Sequence, residues 1–551
     1  MNDVYGAGGR ATGYWVLFAS ILAASMAFVA SSSLNVALPA IQVELGARGA
    51  DLIWIPNAYI MVQASLIVVT GSMGDHYGRK RVCMLGIVLF GLASIVCSAA
   101  TTTGVIIAGR LAQGVGSSMI VPNSLAIVSA HFSRRGQGWA IGLWSGFTVL
   151  MAGLAPFFAG VVTDLGMWRL VFLIHIPLGI LAAVALVKYV PESFDKSKNK
   201  SSQKMSLLGA LLVIMGLGGV TFGFIESSTF GFSSPVIIVA IVGGLVAMAV
   251  FLSGERESRY SILPLWLFRS RTFSASNFIS LVFHGVIQPA LLYLPLNLIQ
   301  VQGYSATFTG LSIIPLILVA TLGSALVGPL LDRRGPRAPM AVGLVITAVG
   351  FFFFANVGVT GGESEYFSTF FLPVVLFGFG FGLTFAPLTM AAMASAPETN
   401  AGIASGVNHT VTRVGQVLVV GVLGGLAISW FGQLLMSDAY IQSLPAEAQT
   451  QLAAESGNLA ETGIPAWLTA DQQARVDEAI HESFAATFSI LMLIGAAACL
   501  VSAVVAVFTI DDHELKLRRG QDILDESDVP PEDPLQTRTE NPLDTPFRES
   551  P

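Results

Sequence analysis

The sequence predicts an all-α integral membrane protein of fourteen transmembrane helices. These form two six-helix bundles related as a pseudo-repeat, with two further helices inserted between them. Composition is the first reason. Of 551 residues, 54% are hydrophobic and only 11% are charged. Soluble domains carry about 25% charged residues, so an ordinary soluble enzyme is excluded. Patterning is the second reason. The apolar residues fall in runs of about twenty, long enough to cross a ~30 Å hydrocarbon core as helices. Backbone groups in lipid must bond within their own segment, and a barrel would need alternating strands of about ten residues instead. An internal repeat is the third.

In chain order, the spanning segments lie near 14–35, 53–71, 82–100, 104–129, 138–162, 168–189, 205–225, 235–254, 272–294, 305–329, 339–358, 367–392, 402–430 and 484–509. The first suits a spanning helix better than the apolar stretch of a cleaved leader. Residues 431–483 contain Pro445, Pro465 and Trp467 among many Ala, Gln and Glu. They read as an outer loop with short amphipathic helices on the membrane surface. Residues 511–551 are rich in Asp, Glu and Pro, and are expected to form a disordered acidic cytoplasmic tail. The chain therefore divides into an N-terminal bundle (1–190), a linker with inserted helices 7 and 8 (191–271), a C-terminal bundle (272–510) and the tail.

Orientation follows from Lys and Arg. With the N-terminus inside, the inner loops and tail hold 23 of the 28 basic residues. Arg79, Lys80 and Arg81, then Arg333, Arg334 and Arg337, are among them. Arg48, Arg169 and Arg475 are the outer ones, and Arg110 and Arg413 lie within segments. This is a positive-inside pattern that puts both termini in the cytoplasm. Cys83, Cys97 and Cys499 sit in or beside apolar runs without a CxxC pair, so they read as packing residues.

The repeat is visible in two loops. Gly71-Ser-Met-Gly-Asp75-His-Tyr-Gly78-Arg79-Lys80 follows the second segment. Gly328-Pro-Leu-Leu-Asp332-Arg333-Arg-Gly335-Pro-Arg337 follows the tenth, 257 residues later. Leu38-Pro39 and Leu294-Pro295 echo one another at nearly the same offset. Parallel six-helix repeats around a central cavity are a transporter architecture.

On these residues the chain resembles the major facilitator superfamily, specifically its fourteen-helix drug:proton antiporter family of multidrug efflux type. Gly71–Lys80 is similar to the family's loop motif, with Met73 and His76 as substitutions. Arg110-Leu-Ala-Gln113-Gly114-Val-Gly116 is similar to its fourth-helix motif. Trp168-Arg169 through Ile176-Pro177-Leu-Gly179 is similar to the stretch opening helix 6, and Ser405-Gly406 through Arg413 to Gly415 to helix 13. The resemblance covers nearly the whole chain. It implies a transporter of the bacterial plasma (inner) membrane that exports drugs or other small amphiphilic molecules by alternating access. Two departures stand out. Asn35-Val36-Ala37-Leu38-Pro39 fits the family's helix 1, but Ala30 stands where an acid belongs. The fifth-helix motif reads Ala155-Pro156-Phe-Phe-Ala159-Gly160, with Met151 replacing a further glycine. Both question proton antiport through the usual carboxylate. A facilitator of a specific neutral or anionic metabolite, uncoupled from protons, stays open as the alternative.

Several residues carry the candidate chemistry. Gly71, Asp75, Gly78 and Arg79, with Asp332 and Arg333, are read as an inner gate that latches and releases; Lys80 and Arg81 are read as basic anchors. Arg110, Gln113, Ser117 and Ser124 fall on one face of segment 4. A charge at that depth is costly and functional by default, so Arg110 and Gln113, with Asn35 on segment 1, are assigned to a substrate or proton pathway. Asn277, Ser280, His284 and Gln288 form a second stripe on segment 9, and Asn277, His284 and Gln288 are assigned to the same substrate or proton pathway. Segment 13 carries Asn408, His409 and Arg413; His409 and Arg413 are assigned to the same pathway, with Arg413 expected near the cytoplasmic end in a structural or gating role rather than in substrate contact. His175 reads as a packing residue with a hydrogen bond. Asp164 and Arg169 flank an outer turn, where pairing is expected, and Glu226 is placed at the outer interface outside the two bundles. With acids scarce at depth, the expected substrate is neutral, zwitterionic or anionic rather than a lipophilic dication.

No nucleotide-binding run GxxxxGK[ST] occurs, and no HExxH or paired acids occur at membrane depth. An enzyme is therefore not indicated, and neither a cofactor nor a metal is implied. The expected partners are a small-molecule substrate, the lipid bilayer and protons, with no nucleic acid, and the expected state is a monomer.

Overall fold

The computed structural model describes residues 9–132, 134–193, 207–257, 265–395 and 401–512. Lys196, Lys198, Lys200 and Lys204, and the tail beyond residue 512, lie outside them. Among the described residues the regular elements are helical. They are α1 (Gly9–Ser32), α2 (Leu34–Leu45), α3 (Gly49–Tyr77), α4 (Arg79–Ser98), α5 (Thr103–His131), α6 (Arg134–Asp164), α7 (Leu170–Leu173), α8 (His175–Tyr189), α9 (Leu207–Phe230) and α10 (Pro235–Glu257). They continue as α11 (Arg271–Leu296), α12 (Ala306–Arg334), α13 (Arg337–Ala355), α14 (Phe371–Ala394), α15 (Ala401–Ser437), α16 (Ala439–Ser443), α17 (Ala446–Glu455) and α18 (Ala470–Thr509). Among the described residues, fourteen helices are long and apolar enough to cross a membrane, as the hydropathy predicts.

The first predicted segment corresponds to α1, and a further short helix, α2, follows it directly. The two are separated at Ser33, the last of three successive serines. The Ser32 hydroxyl donates back to the Phe28 carbonyl at 3.1 Å, a bond that bends helices. The break frees carbonyls in the last turn of α1.

Helices α1, α3, α4, α5, α6 and α8 pack among themselves, as do α11, α12, α13, α14, α15 and α18. Across the two groups, α3 lies on α15 and α6 lies on α12. Helix α9, which the sequence reads as an insertion, is not peripheral. It packs on both α3 and α15, with α10 behind it. Glu226 is accordingly buried (7% exposed) rather than at an interface with water.

The segment between α15 and α18 also differs from expectation. Residues 431–437 prolong α15, and α18 begins well before the membrane-spanning turns. Between them Leu444, Ala448, Leu452 and Leu459 are buried. The Gln42 amide donates to the Asn458 carbonyl at 2.9 Å. The loop therefore caps the ends of α2 and α3, because its apolar residues recur on the face turned to the protein. It does not lie flat on the bilayer.

The helix ends that carry Arg79, Lys80, Arg81 and Arg337 lie on one side, here termed the basic end; the loop cap marks the far end. The two groups of helices meet at the far end and splay at the basic end. In α6, Ala155, Ala159 and Gly160 are buried, while Ser145, Gly146, Phe147, Val149 and Leu150, nearer the basic end, are exposed around most of the helix. In α12, Thr321, Leu322, Ala325 and Leu326 are exposed likewise.

Candidate functional site

The basic-end loop between α3 and α4 turns on Gly78, whose φ of +108° favours glycine. Arg79 donates to Asp75 through both Nε (3.1 Å) and Nη2 (2.8 Å) and reaches the Ala126 carbonyl of α5 at 3.3 Å. The Asp75–Arg79 pair thus ties α3 to α5. Gly71 faces Pro122 of α5 at ordinary contact distance. Lys80 is more than a surface anchor: its ammonium donates to the Val187 and Val190 carbonyls at the end of α8.

Two residues here escaped the sequence reading. The Glu192 carboxylate, just past α8, accepts from the Lys80 and Arg81 backbone amides at 3.0 and 3.3 Å. It thereby caps α4, where an anion favours the helix dipole. In the second half Gly335 again has positive φ, +81°. There Asp512, just past α18, accepts from the Arg337 backbone amide at 3.1 Å. The one signal available was an acid following the last helix of each half. The side chains of Asp332 and Arg333 lie outside the described residues. So does most of the predicted tail, although Asp511 and Asp512 are described and Asp512 is bonded.

Deeper in, Arg110 is 1% exposed. Its Nε donates to the Ile55 carbonyl (3.1 Å), and its Nη1 donates to the Ala30 carbonyl (3.3 Å) and to Gln113 Oε1 (3.0 Å). Its guanidinium lies 4.3 Å from the centre of the Tyr59 ring. The missing acid at position 30 is thus answered by that residue's own carbonyl, one of those freed by the break at Ser33. Gln113 is fully buried and donates to Ser94 of α4 at 2.8 Å. It turns into the bundle, not toward a cavity. Asn35 donates to the Leu291 carbonyl of α11 at 3.1 Å, so it joins the two groups of helices at their far-end contact. His175 is buried, with Nδ1 2.9 Å from the Phe172 carbonyl.

On α11, Asn277, Ser280 and His284 are buried and Gln288 is half-buried. Asn408 of α15 donates to Ser280 Oγ at 2.7 Å and Asn277 Oδ1 at 3.4 Å. The Asn277 amide also donates to the Phe273 carbonyl. These polar groups therefore stitch α11 to α15. His284 stands apart. Its Nδ1 lies 3.1 Å from the Ser280 carbonyl, and Phe381 and Phe385 of α14 flank its ring. Arg413 is not near the basic end. It is twelve residues into α15, about 18 Å along the helix. There its charge reaches Tyr59 and His284, and its Nη1 donates to Gln416 at 3.2 Å. His409, one turn nearer the basic end, is exposed, and Gly406 beyond it faces open space. The face Gly406–His409–Arg413 thus looks into the gap between the splayed helices.

The far end is closed by backbone. A Cβ on Gly160 would lie 2.2 Å from the Ala306 carbonyl oxygen, and one on Gly310 would lie 2.5 Å from the Pro156 carbonyl oxygen. Asp164 does not pair with Arg169. Its carboxylate accepts from the Ala306 and Thr307 amides at 2.9 and 2.7 Å, capping α12 from across the interface. Arg169 pairs instead with Glu44. The Trp168 indole N–H and the Arg169 guanidinium hold the Glu44 carboxyl below the usual carboxylate range. Glu44, Asp164, Trp168, Gln300, Tyr304 and Glu461 line a cavity of about 550 Å³ at this end. It lies outside the closure, away from Arg110.

Asp164→Asn keeps the shape and removes the charge from this cap. A charge at a helix N-terminus is worth roughly a twofold to fivefold change in population. Cys83, Cys97 and Cys499 are buried, so a cysteine introduced at Ala40, which lines the far-end cavity, reports its opening. Maleimide labelling there is expected to quicken by that factor in the Asp164→Asn background. An unchanged rate would show that the cap does not hold the closure.

Residues 20–420 match the family model described as Major Facilitator Superfamily. The chain is 31% identical over 422 residues to the Multidrug resistance protein Stp of Mycobacterium tuberculosis (strain CDC 1551 / Oshkosh), covering 76% of each. It is 29% identical over 439 residues to the Methylenomycin A resistance protein of Bacillus subtilis (strain 168), covering 78% of this chain and 92% of that one. Among solved structures, a bacterial homolog to the human lysosomal transporter Spinster shares the fold. Its TM-score is 0.63 at 17% identity, over 92% of this chain and 100% of that one. With a family match across most of its length and a relative above 30% identity, the chain belongs to the major facilitator superfamily.

Proposed function

We propose that the protein is a secondary exporter that carries small amphiphilic molecules out across a bacterial plasma membrane by alternating access. The two six-helix bundles rock against one another, with helices 7 and 8 as an insertion. Both termini and the basic end face the cytoplasm, and a single chain is the working unit. One observation carries the reading: the helices are closed by backbone contact at the far end and splayed at the basic end, around the layer Arg110–Tyr59–Arg413. That is the arrangement of a carrier loading from the basic side. The relatives named for multidrug and methylenomycin A resistance support export as the direction. Charge asymmetry supports the orientation.

The alternative, a facilitator uncoupled from protons, draws on Ala30. Its backbone already meets Arg110, and a carboxylate there would sit beside the guanidinium. Transport is tested in proteoliposomes with a panel of neutral and anionic amphiphilic antibiotics under an imposed pH gradient. At least one compound is expected to cross faster than in protein-free vesicles. Ala30→Asp is expected to make that flux respond more steeply to the gradient than wild type. If no compound crosses faster with protein present, the transporter reading fails. A wild-type flux indifferent to the gradient favours the facilitator.

A further inference from the structure

Among the described residues, the chamber that opens at the basic end holds a positive charge with no acid to answer it. Among the described residues Arg413 bonds its own neighbour Gln416, and the titratable groups its charge meets are Tyr59, His284 and His409, none of them an acid that is ionised at neutral pH. Arg110, on the other side of Tyr59, is satisfied by carbonyls and an amide, so it adds charge without absorbing any. The buried carboxylates among the described residues, Asp51, Glu226 and Glu255, lie within four residues of a helix end. None stands at this depth.

An aromatic wall flanks His284, the residue that the charge of Arg413 also reaches. Phe381 and Phe385 stack with ring centres 5.7 Å apart and planes 28° from parallel. Phe385 is 41% exposed, although its ring packs against the buried His284. An aromatic face left open next to an unanswered cation suits a flat aromatic ligand bearing negative charge.

His284 adds a third element. It is 7% exposed, and its Nε2 is buried without a hydrogen-bond partner. Its Nδ1 faces the Ser280 carbonyl, which can only accept, so Nδ1 carries the proton of the neutral ring. Nε2 is then a bare acceptor, and a buried polar atom of that kind wants a partner. A hydroxyl on the ligand supplies one.

We propose that the transported substrates are hydroxylated aromatic anions. The ionised oxygen lies on Arg413, the ring lies against Phe381 and Phe385, and a ring hydroxyl donates to His284 Nε2. This rests on the transporter reading above and narrows it to a substrate class.

The test uses purified protein in detergent and three naphthalene probes: 6-hydroxy-2-naphthoate, 2-naphthoate and (2-naphthylmethyl)trimethylammonium. Fluorescence anisotropy reads their affinities. The carboxylates are expected to bind tighter than the ammonium by roughly tenfold to a hundredfold, the worth of one charge-assisted hydrogen bond. The hydroxyl should add about twofold to tenfold. Arg413→Gln should erase the preference for carboxylate, and His284→Ala should erase the benefit of the hydroxyl, so that 6-hydroxy-2-naphthoate and 2-naphthoate bind alike. The order in the wild-type protein decides the matter even if a variant fails to fold. An ammonium that binds as tightly as the carboxylates overturns the proposal, and its export by the same vesicles would leave the transporter reading standing. Binding in the expected order with no probe crossing a vesicle would instead support the site and overturn the transporter reading.

Discussion

Arg110→Ala is expected to reduce transport on the order of a hundredfold, the scale of loss when binding groups shift by about an ångström. The reason is architectural. Arg110 is fully enclosed and ties three helices at one point. It meets the Ala30 carbonyl of α1, the Ile55 carbonyl of α3 and, from α5, its own neighbour Gln113. Removing it leaves two buried carbonyls without this donor, at about 1–3 kcal/mol each, and leaves a hollow against the Tyr59 ring. Arg110→Lys should not rescue transport. One ammonium cannot reproduce a planar fork aimed at three acceptors, and it would stack more weakly on Tyr59. Thermal melting in detergent should fall for both variants, with the alanine variant lower. If Arg110→Lys retains more than about a tenth of the wild-type rate, the multidentate account is wrong.

The fate of Arg110 also marks what was legible beforehand. Its burial was readable, because a charge inside an apolar run has few other places to go. Its partners were not, because they are main-chain carbonyls, which every residue carries. The same limit explains Gln113. A polar stripe at helical spacing establishes a shared face, not what that face meets. Here the face meets Ser94 and the bundle interior. The fourteen spans were legible because length and apolarity alone define them. The loop repeat was legible too, and Gly78 and Gly335 do share a positive φ. Glu192 and Asp512 were missed because the amides they cap lie more than 100 residues away in sequence. Asp164 and Arg169 were misread as a pair because they are neighbours in sequence. Each found a partner on another helix, and those partners, Thr307 and Glu44, belong to different halves of the chain.

Gly310→Val is expected to shift the resting population toward a far-end-open form by roughly fivefold to a hundredfold. The fifth-helix motif in this chain has exchanged two of its small positions for Ala155 and Ala159, both buried. It keeps Gly160, and there helix α12 comes closest. The contact is reciprocal. Gly160 faces the backbone of Ala306 and Thr307, and Gly310 faces the backbone of Pro156 and Phe157. A clash with a side-chain tip can relax by rotation, but a clash with a carbonyl oxygen at 2.5 Å requires the helices to separate. Overpacking of this kind costs about 1–3 kcal/mol, borne only by the form in which α6 and α12 touch. The closed far end is therefore destabilised and the opposite form is not. Two cysteine reporters separate this from general damage. Labelling at Ala40→Cys, in the far-end cavity, should quicken. Labelling at Gly142→Cys, which has open space around it near the basic end of α6, should slow as the helices close there. Transport should fall more than tenfold in the same protein, because a carrier held in one form cannot cycle. If both reporters quicken together, the substitution has loosened the whole structure, and backbone contact at Gly310 is not the hinge of the closure.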